Sequence, residues 1–597
     1  MKKHIYILLV FMISFSNGRA QSYEDFIGAG HSGGITVTTS DNYQLYAGLN
    51  TASGDKTISG EGLEGAQMEA ARFLSQATFG ADIDLIKEVA EVGIEAWLDE
   101  QFSLPPTFFT DSMESIYAQS EDIYAANGSM GFFPPRPGHV HMDYTWWENS
   151  MKGTDAVRQR VAYALSQIMV IGLDGDLRSY SMGVANYYDV LVRNAFGNYE
   201  DLLFEVSTHP AMGYYLTHLN NPKTDEANNI HPDENYAREV MQLFSIGLDK
   251  LNPDGTPMLD ANGERIPTYD NEDISELAKV FTGLGIGARS DGLPPAFGQR
   301  VTVADFRVPM KMYEEWHEPG AKYLLDGYVI PPGQTGMEDV RDAIRHLFNH
   351  PNVGPFIGRR LIQRLVKSNP SPEYIADVTA AFNDNGSGVR GDMKAVIKAI
   401  LLHPEARACS WMQDPEQGKL REPILRKTQF VKAFGVISPL DNYWNYSGWY
   451  MRATEQHPLR SPTVFNFYEP DYSPSGLIDE RGLVAPEFGI YNTLTSIGYA
   501  NEVYNWVESD RILRTAGYEG YLITGPNLGV LFEKSKDADV LLDYLDLLLT
   551  NGALTWRTRQ IIKTTINTYP ITLNGLNSRI KLATFLIMIS PDYNILK

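Results

Sequence analysis

The chain has 597 residues, with 50 Lys+Arg against 74 Asp+Glu for a formal net charge of −24; 43% of its residues are hydrophobic and 21% charged. That balance excludes a basic nucleic-acid binder and a compositionally disordered chain, and it supplies apolar material for a large buried core. One cysteine, Cys409, excludes an intrachain disulfide and every cysteine-rich zinc or iron–sulfur site.

The first twenty residues carry the pattern of a cleaved signal peptide. Lys2 and Lys3 form a positive head, Ile5 to Phe15 is an apolar run, and Gly18-Arg19-Ala20 is a small-x-small cleavage site before Gln21. The run is shorter than the roughly twenty residues a membrane span needs, and no later stretch reaches that length. The expectation is therefore an exported protein, periplasmic or extracellular, without a membrane span. Cleavage would remove Lys2, Lys3 and Arg19 and no acid, taking the net charge from −24 to −27.

Residues 21–62 are rich in Gly, Ser and Thr, with one alternating stretch, 34–40, that predicts a strand. From Ala66 the pattern changes, because Met68, Ala71, Phe73, Leu74 and Ala77 recur at helical spacing. Further helices are predicted over 83–102, 156–170, 186–206, 234–246, 274–281, 338–347, 353–367, 372–382, 393–402, 421–434 and 538–549. Two have readable starts: Asp392 caps Met-Lys-Ala-Val-Ile-Lys-Ala-Ile, and Pro372 follows Ser371 as an N1 proline after its cap. Long Pro/Gly/Asp-rich connections separate the helices at 132–141, 251–273, 291–336 and 444–486. Within the second, Asn252-Pro-Asp-Gly255 and Asp260-Ala-Asn-Gly263 are turn sequences that predict a β-hairpin. The predicted fold is mainly α: a large single helical domain over 63–597 with long loops and small β-hairpin insertions, preceded by the signal peptide at 1–20 and a short β/Gly-rich N-terminal extension at 21–62.

Several short motifs have ordinary structural explanations. Gly30-His31-Ser32-Gly33-Gly34 spells a nucleophile elbow but lacks the strand–turn–helix setting that an elbow needs. Asp260–Glu264 and Asn383–Gly388 resemble calcium loops, yet glycine is misplaced in the first and Lys394 stands at the twelfth position of the second. In Arg390-Gly391-Asp392 the aspartate is needed as a helix cap. His139 and His141 would share a face if extended and so form a candidate metal pair, although spacing identifies no third ligand. Phosphate-binding loops of the Walker or dinucleotide type are absent from the sequence, and neither a cofactor nor a metal is expected.

The most informative stretch runs from His231 to Gly247. On a helix, Glu234, Asn235, Arg238, Glu239, Gln242 and Ser245 fall within an arc of about 140°. Glu234 and Arg238 form an i,i+4 pair, and Glu239 can flank the same arginine. Such a face is either an ordinary solvated stripe or a carboxylate–guanidinium–amide cluster facing a cleft.

Six ordered blocks carry a family resemblance: 71–80 (ARFLSQATFG), 234–247 (ENYAREVMQLFSIG), 273–283 (DISELAKVFTG), 317–322 (HEPGAK), 419–423 (KLREP) and 459–467 (LRSPTVFNF). Over roughly 65–597 the chain resembles the exported bacterial family known as domain of unknown function eighteen-hundred. Members are large and secreted, often encoded beside a secreted alkaline-phosphatase or sulfatase-like protein, which the resemblance implies as a partner. Many members carry two histidines in a helix after an arginine and one closing the Glu-Asn-x-Ala-Arg-Glu helix. Here those positions are Ser166, Ile168 and Phe244, so this chain resembles a branch without a histidine-based centre that keeps Glu234, Asn235, Arg238, Glu239 and His317.

The sequence leaves open whether the protein is an enzyme. One reading is a hydrolase or lyase acting on an extracellular or envelope polymer, with Glu234, Glu239 and His317 as catalytic groups and Asn235, Arg238, Gln242 and Lys322 binding substrate. The others are a non-catalytic envelope scaffold or carbohydrate-binding protein, or an accessory subunit of the phosphatase-like partner. The binding reading draws on aromatic residues expected in loops: Trp146, Trp147, Tyr443, Trp444, Tyr446, Trp449 and Tyr450.

Overall fold

The computed structural model describes residues 63–126, 136–408, 414, 416–438, 440–446, 448–515 and 522–597. The signal-peptide and N-terminal expectations, the Gly30–Gly34 motif and Cys409 lie outside the described residues. Twenty-four α-helices and four two-stranded sheets occur among the described residues, so the chain is mainly α. One continuous apolar cluster runs from Leu63 to Tyr593.

The first half forms a stack of α1 (Gly65–Ala77), α2 (Ile83–Val92), α3 (Ile94–Ser103), α4 (Phe109–Ala126), α5 (His139–Lys152), α6 (Ala156–Ser166), α7 (Ser181–Asn194), α8 (Tyr199–Thr208) and α9 (Pro210–Tyr215). The single helix expected over 83–102 is two helices, because Gly93 takes φ 93°, a left-handed backbone that ends α2 and starts α3. The helix expected over 186–206 also divides, at Asn198, whose side chain caps α8 through Glu200 N.

The middle carries the short α10 (Asn235–Gln242) and α11 (Asn271–Val280), then two hairpins, β1 (Leu284–Gly285) with β2 (Lys311–Met312) and β3 (Lys322–Leu324) with β4 (Tyr328–Ile330). The turn-rich 251–273 segment is a small meander held by isolated bridges, Leu251 to Pro257 and Leu259 to Arg265. Next come α12 (Gly336–Asn349), α13 (Val353–Leu365), α14 (Pro372–Asn383), α15 (Met393–Leu402) and α16 (Pro404–Arg407). Ser371 and Asp392 cap α14 and α15 as their sequences predict. Asp384 and Asn385 accept backbone N–H groups of their own turn, which accounts for the calcium-like spelling there.

The C-terminal part comprises β5 (Lys419–Leu420), α17 (Pro423–Phe434), α18 (Gly448–Thr454), α19 (Leu477–Glu480), α20 (Thr493–Glu508), the hairpin β6 (Leu513–Thr515) with β7 (Leu522–Thr524), α21 (Ala538–Leu545), α22 (Trp556–Ile566), α23 (Leu573–Ile589), α24 (Pro591–Asn594) and β8 (Ile595–Leu596). The last strand pairs with β5, so the end of the chain closes against the segment that starts α17.

Trp146 and Trp147, expected in a loop after the 132–141 connection, lie instead on α5, which already begins at His139. Trp146 and Trp147 are fully buried on that helix, edge to face with each other, and Tyr144 stacks on Trp444 at 5.5 Å. Of the seven aromatic residues expected to present rings from loops, Trp449 alone is exposed, at 57%, and Arg452 and Arg514 cover its ring. The same helix separates His139 from His141 by about 200° of rotation, so the two imidazoles do not share a face. His139 faces Arg178, while His141 accepts from Gly138 N and contacts Ser120.

Candidate functional site

The residues singled out on α10 lie at the edge of the helical body. Asp233 accepts from Asn235 N and Thr217 Oγ1 and so fixes the start of the helix. Glu234 pairs with Arg238 at 3.2 Å, with the two side chains 45% and 40% exposed. Asn235 is exposed and Gln242 half-buried. Glu239 is different: it is buried, its Oε2 meets no hydrogen-bond donor, and desolvation raises its pKa against the pull of Arg238. Burial and the nearby Glu239 carboxylate push the Tyr269 hydroxyl up to about 12. Ser245, placed on the polar arc by the wheel, is fully buried and donates to the Val240 carbonyl as the helix ends.

His317 and Lys322 form a separate and closed arrangement. Gly283, at φ 81°, brings its chain so close that a Cβ there would lie 2.9 Å from His317 N. His317 Nδ1 lies 2.8 Å from the Thr282 carbonyl, and Nε2 lies 3.0 Å from Asp339 Oδ2. Lys322 Nζ also lies 3.0 Å from Nε2 and donates to the Glu318 carbonyl and to Asp339 on α12. Burial raises the Asp339 pKa, but the hydrogen bonds from His317 and Lys322 and the lysine charge outweigh it and hold the carboxyl below its usual range. The side chains of His317, Lys322 and Asp339 are 5%, 2% and 3% exposed. The triad thus ties the β2–β3 connection to α12 and to the end of α11. Asp339 is the member that sequence reasoning missed.

A larger polar network lies at the centre of the molecule, where several of the resemblance blocks meet. Glu422, from the 419–423 block, accepts from Tyr163 at 2.8 Å, Gln167 at 2.6 Å and Gln456 at 2.7 Å. Lys419 pairs with Glu487 at 3.1 Å and donates to the Gln363 and Arg364 carbonyls. Arg160 Nη2 donates to the Arg364 carbonyl at 2.6 Å. The 459–467 block docks beside it: Arg460 clasps Asp143 on α5 and reaches Asp174, while His457 is buried 3.6 Å from Asp143. Burial raises Asp143 to about 6, and burial with the Arg460 charge lowers His457 to about 3. None of these groups was identified individually from the sequence; the only signal was their clustering inside the blocks.

The three positions where histidines were expected from the resemblance are core. Ser166 donates to the Tyr163 carbonyl, and Ile168 and Phe244 are buried. Among the described residues, no group of three or more His, Cys, Asp or Glu side chains is placed to hold a metal ion, and no helix is long and apolar enough to cross a membrane.

Two open clefts are well formed, and none of the residues expected to act catalytically or bind substrate lines either. One, of about 490 Å³, lies between α14 and α15 beside Asp377, Lys398 and His403. The other, of about 370 Å³, is lined by Tyr117, Arg136, Ser179, Tyr180, Phe306 and Arg307, among others. Tyr180 stacks on Phe306 at 4.3 Å, with the Tyr214 ring edge-on to both. A Cβ on Gly183 would sit 2.2 Å from Phe306 Cβ, so the absence of a side chain there lets the 304–307 segment lie against α7.

These features define a mainly helical protein with several polar networks closed within its interior. Residues 72–595 match the family described as "Protein of unknown function (DUF1800)", and the chain belongs to it. No curated protein and no solved structure matches.

Proposed function

We propose that this is an exported, non-catalytic envelope protein that binds carbohydrate in the cleft lined by Tyr117 and Tyr180. The observation that carries the reading is a division of labour. His317 and Lys322 are locked with Asp339 out of solvent, Glu234 and Arg238 form an exposed pair, and the open aromatic cleft lies elsewhere. A cleft of about 370 Å³ lined by the half-buried Tyr117 and Tyr180, with Arg136, Arg307, Ser179 and Ser181 beside them, has what a sugar needs: ring surface for its C–H face and polar groups for its hydroxyls. Export is supported by Lys2, Lys3, the 5–15 apolar run and Gly18-Arg19-Ala20. In this reading the secreted phosphatase- or sulfatase-like neighbour is a partner working on what the protein holds.

The test is retention of the purified protein on insoluble cell-wall and extracellular polysaccharides. We expect retention of the wild type and at least a tenfold weaker interaction for Tyr180→Ala. A panel on which no glycan retains the wild type, or on which Tyr180→Ala binds equally well, would overturn the reading.

One observation favours the hydrolase or lyase alternative: the buried Glu239 carboxylate, with raised pKa and an unpaired oxygen, has the character of a general base. Release of soluble saccharide by the wild type that is lost in Glu239→Gln would move the assignment there.

A further inference from the structure

At the centre of the molecule positive charge outnumbers negative. Arg160, Arg364, Lys419, Arg421 and Arg426 are buried within one network, and the carboxylates that face them are Glu422 and Glu487. Lys419 pairs with Glu487, but Arg160, Arg364, Arg421 and Arg426 form no ion pair within 4.0 Å among the described residues. Arg426 lies against the Tyr491 and Tyr499 rings, and Arg364 against Tyr468. Arg421 donates to the Leu549 carbonyl and faces the Tyr593 ring. Buried charge without a counter-charge is among the most expensive features a fold can carry.

Three of the uncompensated donors belong to residues that line one small cavity, while Arg426 Nη1 and Nη2, also without acceptors, belong to a residue outside it. The cavity measures about 10 Å³ and is lined by Arg160, Lys419, Arg421, Ser75, Thr78 and Gln429, with apolar walls from Phe79, Leu365 and Leu425. Arg160 Nε and Nη1 and Arg421 Nε find no acceptor among the protein's groups. The carboxylate oxygens that also lack a partner, Glu422 Oε1 and Glu487 Oε2, belong to residues outside the lining. The space suits one water-sized particle and excludes a tetrahedral oxyanion or any organic acid.

We propose that this cavity binds one monovalent anion of the chloride class as a structural ligand, held by the Arg160 and Arg421 guanidiniums with Lys419 adding to the field. The ion would supply the missing counter-charge and accept from donors that otherwise have no acceptor. It would also join α1, α6 and the β5–α17 segment, which are far apart in sequence and meet at this point.

The full chain, exchanged into sodium gluconate and titrated with sodium chloride or bromide at constant ionic strength, tests the idea through its melting temperature. A ligand bound only by the folded state should raise Tm by about 1 °C per tenfold increase in halide for a chain of this length. Crystals of the full chain soaked in bromide should show an anomalous peak between Arg160 and Arg421. Equal melting in halide and gluconate together with no peak would mean that water alone occupies the cavity, and would overturn the proposal. Stabilisation by sulfate in place of halide would overturn it as well, because the cavity has no room for that ion. Arg160→Met should abolish the halide dependence; if that variant does not fold, the wild-type titration and the bromide peak decide.

Discussion

The His317–Lys322–Asp339 triad and the Arg160–Lys419–Arg421 cluster are similarly shut away from solvent, yet they close their accounts differently. In the triad one ammonium meets one carboxylate beside a shared imidazole, so charge is balanced, and one atom, Asp339 Oδ1, is left without a partner. In the cluster guanidinium donors are left without acceptors around a cavity. Burial is therefore a poor guide to role in this molecule. Charge balance is better, because a set whose charges cancel needs no counter-ion, whereas an unbalanced one calls for a ligand.

The largest expected effect comes from unbalancing the triad. Asp339→Ala leaves the Lys322 ammonium buried without its carboxylate, and removing one partner of a buried pair typically destabilises by about 3–5 kcal/mol. Chemical denaturation should show that loss. Lys322→Met in the Asp339→Ala background should restore part of it, because the stranded charge is gone. A double variant as unstable as the single one would mean that the carboxylate matters for something other than pairing.

The two regions were also unequally legible in the sequence. His317 and Lys322 stood out because they share one short block, but Asp339 sits 22 residues from His317 on another helix, and nothing local ties it to them. The cluster was invisible as a cluster: α1, α6 and β5 bring its members together, and net charge at a point is a property of the fold. Helices with a polar face and a cap were readable, as at Ser371 and Asp392. The aromatic α5 was not, because it is buried on most of its surface and so shows no clean 3.6-residue period, and its start follows a Pro- and Gly-rich segment. On α10 the polar arc was legible, but not that Glu239 and Ser245 turn inward while Glu234 and Arg238 stay in water, since neighbouring segments decide which part of an arc is covered.

A buried histidine outside both regions makes stability depend on pH. His218 is fully buried against Tyr236, with Nε2 donating to the Ser207 carbonyl, and burial lowers its pKa from 6.5 to about 4. The unfolded chain therefore binds a proton between pH 6.5 and 4 that the folded chain does not, so stability falls as pH falls through that window. His218→Gln should remove up to one proton from that dependence, about 1.4 kcal/mol per pH unit at most. Unfolding curves from pH 7 to pH 4 that keep the wild-type slope would show that His218 titrates alike in both states. Asp143, Asp189 and Asp546, all raised to about 6 by burial, act in the opposite sense between about pH 4 and 6. The single-site difference, and not the whole-protein curve, is thus the measurement that decides.

The smallest effect is expected at the exposed pair on α10. Glu234 and Arg238 are one helical turn apart, both well solvated, and a pair of that kind contributes about 0.3–0.5 kcal/mol. Arg238→Ala should lower stability by no more than that, and the loss should shrink further in high salt as screening removes the attraction. The same substitution also withdraws the charge that opposes the desolvation of Glu239, so the Glu239 pKa should climb further. A larger loss of stability that grows as pH rises would locate the importance of Arg238 in keeping a buried carboxylate ionised. A small, salt-sensitive and pH-independent loss would leave the pair as an ordinary feature of a solvated helix face, in keeping with the closed triad and the binding cleft lying elsewhere.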